Sequence, residues 1–487
     1  MEISISKARG QRVVDRFAEW RLAGGWLLAP RSFGRYIGLL LMPRVYIETY
    51  GCQMNVADSE LLFGHLGRSG YSRTEDPAEA DVLLINTCAI REHAEERVIG
   101  RLGTLAQYKS RRPDVQLGIA GCMAQNVRDK LMDRLPWVDF VVGPDAYRRL
   151  PQLLLGDARE GDRNLPPMDR PPPVRPDERI VDVRLDRDET YADLEPQRTA
   201  GVRGWVTIMR GCDKFCTFCI VPYVRGRERS LPADAILRQV EQLVADGCRE
   251  VVYLGQTVNA YRDGAVGFAD LLRRTEAIAG LERIRFTSPH PTDMCDETIA
   301  AMAECGKVCP QLHLPVQSGS NRVLERMERG YSVEQYLDLV ERLRRAIPGL
   351  ALSTDVIVGF PGEEESDFEE TCALIQQVGY DSAFLFKYSA RSYTKAGKWP
   401  ETVSEEEKTR RLQAVIALQE AESDRRYRAW IGKTAEVLYE GPARRPEGWF
   451  FGKSADFRNV VFPPRAVEIG QIVPVVIRDA TGHTLIG

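Results

Sequence analysis

Three cysteines in one short loop are the residues of this chain best suited to chemistry. Cys212, Cys216 and Cys219 follow a glycine, with two phenylalanines between them. Thiolates are the usual ligands of iron–sulfur clusters, and three of them leave the fourth iron of a cubane open to another molecule. A structural zinc site is the alternative, but it needs a fourth Cys or His nearby, and the next candidates are Cys248 and His290. The spacing therefore favours an iron–sulfur cluster with one open iron.

Three more cysteines stand where apolar runs end. Cys52, Cys88 and Cys122 each follow a run that is typical of a buried strand, and helical patterns separate the three runs. Strand–helix alternation predicts a parallel sheet, in which ligand sites gather at the carboxyl ends of the strands. Three unrelated buried cysteines are the alternative, because cysteine is often buried. Their equivalent positions favour a second three-thiolate cluster.

Two family resemblances bear on these cysteines. The C-x3-C-x2-C loop resembles the signature of the radical S-adenosylmethionine (SAM) superfamily, in which the open iron binds SAM and its reduction gives a 5′-deoxyadenosyl radical. Residues 50–55, 86–91 and 121–125 resemble the amino-terminal domain of the methylthiotransferases, in which three cysteines hold an auxiliary [4Fe–4S] cluster that takes part in sulfur insertion. The resemblance therefore implies SAM and two [4Fe–4S] clusters as cofactors.

The elements that must position these residues alternate between strand and helix. We expect an α/β fold with an amino-terminal parallel-sheet domain, a partial (β/α)6 radical-SAM barrel and a small carboxyl-terminal β-barrel. In barrels the chemistry lies in the loops at the carboxyl ends of the strands. An ordinary Gly- or Pro-rich turn is the alternative for each loop taken alone. By resemblance these loops bind SAM, and the candidate residues are Gly255, Gln256, Asn259, Gln317, Ser318, Ser353, Asp355 and Gly359.

Domain boundaries follow from changes in composition. Residues 1–42 are rich in arginine and differ from the domains that follow, so we expect a poorly ordered extension. In one interpretation translation begins at Met42. In the alternative, the segment is a transit-like leader. The later segments are an amino-terminal domain at 43–160, a proline-rich linker at 161–197, the barrel at 198–429 and a final domain at 430–487.

The final domain resembles TRAM, an RNA-binding module. Its basic and aromatic residues offer phosphate contacts and stacking surfaces, although a solvated β-barrel with core aromatics is the alternative. The residues are Lys433, Arg444, Arg445, Lys453, Arg458 and Arg465, with Trp449, Phe450 and Phe451.

The overall composition limits which binding partners and which cellular compartment are expected for this protein. The 487 residues carry a formal net charge of −4, so a nucleic acid must be met by a local basic surface. No apolar run is long enough to cross a bilayer. Eleven cysteines, grouped at ligand spacing, indicate metal ligation in a reducing cytoplasm rather than disulfides.

Phrases in the barrel resemble one branch of the methylthiotransferases. Residues 212–223, 225–228 and 313–320 resemble the branch that acts on tRNA, converting N6-dimethylallyladenosine at position 37, next to the anticodon, to its 2-methylthio derivative. The resemblance implies a monomer that binds tRNA and accepts electrons from reduced flavodoxin or ferredoxin, without a membrane. The sequence departs from the pattern of this branch at two places. Leu231 stands where arginine is usual, and Ser392-Tyr393 stands in place of Pro-Gly.

Three alternatives to this function remain open. Two are methylthiolation of other targets, either a ribosomal-protein aspartate or a threonylcarbamoyladenosine in tRNA. The third is a non-catalytic iron–sulfur electron carrier with an RNA-binding tail. A carrier needs no adenosyl pocket, so polar loops at successive strand ends speak against it.

Overall fold

The computed structural model describes residues 42–88, 92–127, 129–155, 179–199, 201–391 and 393–487. The expected amino-terminal extension lies outside these ranges except for Met42. Among the described helices, none combines the length and the apolar character that a membrane span requires.

The amino-terminal domain is a parallel sheet between two helical layers. Its strands are β1 (Arg44–Tyr50), β2 (Ser72–Arg73), β3 (Val82–Thr87), β4 (Gln116–Gly121), β5 (Phe140–Val142) and β6 (Ile180–Asp182). They lie in the order β2-β1-β3-β4-β5-β6, and β3 and β4 are buried along their whole length because helices cover both faces. The helices are α1 (Gln53–Arg68), α2 (Glu92–Arg111), α3 (Cys122–Val127), α4 (Asp129–Arg134) and α5 (Leu150–Leu155).

The central domain contains the predicted partial barrel. Its strands and small hairpins are β7 (Arg203–Thr207), β8 (Met209–Arg210), β9 (Arg229–Ser230), β10 (Glu250–Leu254), β11 (Arg262–Asp263), β12 (Val266–Gly267), β13 (Arg283–Phe286), β14 (Gln311–His313), β15 (Ala351–Val358) and β16 (Ser382–Lys387). Six of them form two parallel sheets, β13-β10-β7 and β14-β15-β16, and the bridge between Ile284 and Val308 extends the first sheet toward the second. The six-unit barrel predicted from the sequence is confirmed.

Amphipathic helices cover the outside of this barrel and bury its largest core. They are α6 (Val221–Arg225), α7 (Ala233–Ala245), α8 (Phe268–Glu276), α9 (Asp296–Glu304), α10 (Asn321–Arg326), α11 (Val333–Ala346), α12 (Glu365–Val378) and α13 (Glu405–Arg428). Capping explains where several of them begin. Ser332 and Gln335 form the capping box of α11, and Glu364 with Asp367 forms that of α12.

The carboxyl-terminal domain is a six-stranded sheet, antiparallel except for one pair. Its strands are β17 (Thr434–Pro442), β18 (Phe450–Ser454), β19 (Asn459–Phe462), β20 (Ile472–Val476), β21 (Asp479–Thr481) and β22 (Thr484–Ile486), in the order β20-β17-β18-β19-β22-β21. Only β19 and β22 pair in parallel within it. The predicted small all-β domain is therefore confirmed.

Arginines at the amino ends of the barrel strands hold this sheet. Arg283 donates to the carbonyl of Lys453 at 2.8 Å, and Arg285 donates to that of Ser454 at 3.0 Å. Glu250, fully buried at the start of β10, balances them with a carboxylate oxygen 3.0 Å from the Nε of Arg285. The carboxyl-terminal domain thus closes the barrel at the end opposite the thiol loops.

Candidate active site

Each cysteine triplet depends on a glycine in a left-handed conformation. Gly51, Gly121 and Gly211 have φ of +140°, +93° and +79°, and each precedes a cysteine. A Cβ on Gly121 would lie 2.4 Å from the side-chain oxygen of Asn86, and one on Gly211 would lie 1.9 Å from the carbonyl of Arg227. Only glycine lets the chain turn this sharply at the strand end.

Sheet register brings the first triplet together. Tyr50 pairs with Thr87, which pairs with Gly121, so the three strands end level with one another. Cys88 follows β3 directly and donates its backbone N–H to the carbonyl of Tyr50 at 3.1 Å. The sheet thus brings the three thiols toward one another at its edge, as their positions at the strand ends led us to expect.

The thiols of this triplet influence one another. A hydrogen bond with Cys88 lowers the pKa of Cys52, against the effect of burial, and the charge of Arg225 lowers it further. Burial raises the pKa of Cys122, and Arg225 opposes that effect. Buried thiols of this kind become thiolates when a metal stabilises the anion.

The second triplet lies in a tight loop after β8. Cys219 donates its N–H to the carbonyl of Cys216 at 2.9 Å, and Phe215 between the first two cysteines has a positive φ of 51°. Burial raises the pKa of Cys212, and it raises that of Cys219 to about 12. Among the described residues no three Cys, His, Asp or Glu side chains surround a single metal ion. A cubane differs from a single ion because each thiolate binds a different iron.

Residues after β10 hold the second thiol loop. The side-chain oxygen of Gln256 accepts the N–H of Gly211 at 2.6 Å, and the Thr257 hydroxyl lies 3.2 Å from the Cys212 sulfur. Gly255 lies at the preceding turn, where a Cβ would come within 2.6 Å of the Met209 side chain. This part of the predicted cofactor region therefore shapes the loop itself.

Other predicted cofactor residues also make contacts within the protein. Asn259 exchanges two hydrogen bonds with the backbone of His290, at 2.8 and 2.9 Å. Ser318 is buried, with its hydroxyl 3.3 Å from that of Thr371 on α12. Gly359 donates its N–H to Glu363 at 2.9 Å. The polar atoms of these three residues are thus engaged within the protein.

The inner face of the second half-barrel is polar and partly open. Ser353 and Asp355 alternate on β15 with buried residues that face the helices, and both contact His313, at 3.0 and 3.4 Å. Gln317 follows β14 with a positive φ of 74°, and its N–H bonds the carbonyl of Asp355 at 2.9 Å. Strained backbone at a strand end is typical of binding sites. Phe384, in register with Asp355, keeps 56% of its surface exposed.

Two histidines at or after the ends of barrel strands are held by neighbouring residues. His290 caps a short turn by accepting the N–H of Thr292, and burial lowers its pKa to about 2. His313 lies between Ser353 and Asp355 as described. The departure at Leu231 is a core residue with 3% exposure, Tyr393 is exposed, and Ser392 lies outside the described residues.

Several residues predicted to contact RNA face the barrel. Arg458 is buried and forms an ion pair with Asp381, and Lys453 is half-buried beside Phe457. Phe450 stacks on Tyr439 within the sheet's own core, with ring centroids 4.4 Å apart. These three side chains are engaged within the protein rather than free on an RNA-facing surface. Arg444 and Arg445 are exposed in the loop before β18.

Buried arginines contact both triplets, and the sequence alone did not single them out. Arg225 donates to the Cys122 sulfur at 3.1 Å, and Arg329 donates to the Cys216 sulfur at 3.2 Å. Arg225 belongs to the Arg-Gly-Arg-Glu motif that follows the second triplet, and this motif is the sequence feature that could have identified it. Nothing local marks Arg329.

Family comparisons agree with this geometry. A model described as the Radical SAM superfamily matches residues 206–375, and one described as Uncharacterized protein family UPF0004 matches residues 44–143. A solved radical S-adenosylmethionine methyltransferase, TsrM from Kitasatospora setae, has a TM-score of 0.54 at 15% identity, over 73% of this chain and 77% of that one. The barrel and its thiol loop thus define a radical SAM enzyme, whose cofactors are SAM and [4Fe–4S] clusters.

Curated relatives narrow the class to one family. A protein of Chloroherpeton thalassium named tRNA-2-methylthio-N(6)-dimethylallyladenosine synthase is 44% identical over 447 residues, which cover 91% of this chain and 95% of that protein. Relatives of the same name are 44% identical in Bacteroides fragilis and 41% in Clostridium botulinum, covering 95% and 96% of those proteins. The chain belongs to the tRNA-2-methylthio-N(6)-dimethylallyladenosine synthase family.

Proposed function

We propose that this enzyme converts N6-dimethylallyladenosine at position 37 of tRNA, next to the anticodon, to 2-methylthio-N6-dimethylallyladenosine. One observation carries the proposal: a cysteine of the first triplet contacts the segment that follows the second triplet, across the seam between the first two domains. Cys122 of the first triplet packs on Ile220 and Val224, which follow Cys219 of the second almost directly. A reaction that joins sulfur and carbon at one atom needs both centres close to the same base.

The thiols fit the two clusters that the reaction needs. Cys52, Cys88 and Cys122 would hold the auxiliary cluster, and a second set, Cys212, Cys216 and Cys219, would hold the radical SAM cluster. When bound, the clusters and SAM supply radical chemistry, sulfur and a methyl group for carbon 2 of adenine, which has neither an acidic proton nor a leaving group. The protein's share is to hold both triplets and the base together while limiting water.

The predicted cofactor residues divide into two roles in this proposal. Gly255, Gln256, Asn259, Ser318 and Gly359 shape the loops that surround SAM, because their own contacts lie between loops. A second group faces the inside of the barrel and contacts SAM directly: Gln317, Ser353 and Asp355. Direct contact suits Ser353 and Asp355 because they lie on the partly open inner face of β15, and it suits Gln317 because that residue follows β14 with a strained backbone.

Phe384 supports an adenosine as the target. Its exposed ring lies in register with Asp355 on the inner face and meets His313 edge to face, with centroids 5.6 Å apart. An aromatic ring offers a stacking surface to an unstacked base. A ribosomal-protein aspartate, being anionic, would be repelled by Asp355.

Partners and compartment follow from the same chemistry. The tRNA presents the base from its single-stranded anticodon loop, where bases are accessible. Reduced flavodoxin or ferredoxin supplies electrons to a monomeric enzyme in the cytoplasm, whose reducing conditions keep six ligand thiols available.

Mass spectrometry of tRNA nucleosides tests the proposal. A deletion strain should lose 2-methylthio-N6-dimethylallyladenosine and accumulate N6-dimethylallyladenosine, and the wild-type gene should restore the product. Unchanged levels would refute the substrate, and a change in methylthiolated threonylcarbamoyladenosine or ribosomal-protein aspartate would support an alternative. Anaerobic enzyme with dithionite should form 5′-deoxyadenosine, which an electron carrier does not.

A further inference from the structure

Arg225 is a buried cation placed directly on the first triplet. It ends α6, the helix that follows the second triplet, and only 3% of its surface is exposed. Its Nε donates to the Cys122 sulfur at 3.1 Å, while its Nη2 donates to Asp58 at 2.8 Å. Its Nη1 is buried and has no hydrogen-bond partner among the described residues. The Nη1 of Arg225 can therefore still donate a hydrogen bond to another acceptor.

Asp58 fixes this arginine and links it to the other triplet. It is fully buried on α1, the helix that Cys52 caps, and its second oxygen accepts from Arg210 at 2.9 Å. Arg210 lies two residues before Cys212. The carboxylate therefore bridges one guanidinium at each cysteine triplet.

The charges of Arg225, Arg210 and Asp58 do not cancel. Two guanidiniums face one carboxylate, and burial of an unpaired charge is costly. Of the two guanidiniums, that of Arg225 lies at Cys122, where a thiolate-ligated cluster would carry negative charge. Such a cluster would supply the missing counter-charge, and its sulfur atoms are acceptors suited to the buried Nη1–H groups.

We propose that Arg225 is a positioning residue of the auxiliary cluster that raises its reduction potential. This inference rests on the proposed function, because it requires a cluster on Cys52, Cys88 and Cys122. Hydrogen bonds to ligand sulfur and a nearby positive charge both stabilise the more negative, reduced state. Asp58 holds the guanidinium in place for this purpose.

Arg329 provides a matched control at the other triplet. It is equally buried, with 6% exposure, and its Nη1 donates to the Cys216 sulfur at 3.2 Å. Its remaining donors bind Tyr331 and the carbonyl of Pro315, so the loop after β14 holds it. The two arginines therefore make equivalent contacts to different triplets.

Potentiometric titration, followed by electron paramagnetic resonance of the reduced cluster, tests the proposal. The full chain carrying Cys212→Ala, Cys216→Ala and Cys219→Ala is reconstituted, so that about four iron atoms per chain report on the first triplet. In that background we compare Arg225→Met, Arg225→Lys and Arg329→Met. Arg225→Met should shift the midpoint to more negative potential, Arg225→Lys by less because it keeps the charge, and Arg329→Met should leave it unchanged.

Two results would overturn the inference. One is an unchanged midpoint in both Arg225 variants with iron retained. The other is loss of iron together with loss of helical circular dichroism in both, which would indicate a purely structural residue. Failure of the proposed function is seen separately in the tRNA nucleosides of the deletion strain, whereas a background protein that bound no iron with Arg225 intact would remove the cluster on which this inference rests.

Discussion

The guanidinium of Arg203 lies 2.7 Å from the carboxylate of Glu440 and joins the first barrel strand to the carboxyl-terminal sheet. Arg203 begins β7, whereas the thiol loop follows the far end of the same barrel. The final domain is therefore held one strand length away from the cysteines. RNA that touches both must extend along the side of the barrel, so contacts of this domain and chemistry at the base are separable.

Exposed arginines of the final domain should contribute to tRNA affinity without affecting the chemistry. Reversing Arg444 and Arg445 to Glu should weaken tRNA binding and reduce the slope of log affinity against log salt by about 1.5, since each phosphate contact contributes just under one. Formation of 5′-deoxyadenosine without tRNA should not change. Arg238→Glu, on the exposed side of α7, is the matched control. An unchanged salt slope in the double variant would exclude this surface.

Lys453 should make the stability of the domain seam depend on pH. Burial, together with Arg203 and Arg285, lowers its pKa from 10.5 to about 8. The folded state therefore penalises the charged amine, fully below pH 8, and the penalty disappears as pH rises toward 10.5. Relative to Lys453→Met, the wild-type protein should gain stability between pH 8 and 10.5 in denaturant titrations. A difference that stays constant over that interval would contradict the prediction.

Local patterns in the sequence predicted the triplets and most strands. A cysteine after an apolar run marks a strand end whatever the rest of the chain does, so Cys52, Cys88 and Cys122 could be grouped. Contacts between distant segments could not be predicted in this way. Arg225 meets Cys122 across 103 positions and Asp58 across 167, and both contacts depend on how two domains dock.

Composition also did not reveal which way the basic side chains of the final domain point. Basic residues of an RNA-binding module were expected to face solvent, yet Lys453 and Arg458 turn toward the barrel. Arg458 pairs with Asp381 of the barrel domain, and Lys453 lies within the influence of Arg203 and Arg285 of that domain. Only the folded arrangement shows which side of a small sheet is covered.

Gly121→Ala should damage the first triplet selectively. A methyl group there meets Asn86 and the Thr87 carbonyl within 2.6 Å, and φ of +93° adds backbone strain of about 1–3 kcal/mol. Iron bound after reconstitution should fall by about half, because the second triplet is unaffected. Gly100→Ala, in α2 with nothing within 4 Å, should instead stabilise the protein by up to about 1 kcal/mol. Full iron content in Gly121→Ala would show that the turn tolerates a side chain.

Phe384→Ala should separate SAM cleavage from modification of tRNA. Removing the exposed ring takes away the stacking surface proposed for the base, worth about 1–3 kcal/mol, so KM for tRNA should rise at least fivefold. Dithionite-driven 5′-deoxyadenosine formation without tRNA should stay within twofold of wild type, because the ring contact described for Phe384 is with His313 and not with a cysteine of either triplet. Phe384→Tyr keeps an aromatic face and should retain most of the activity. If Phe384→Ala left the KM for tRNA unchanged, the base would have to bind elsewhere on the inner face.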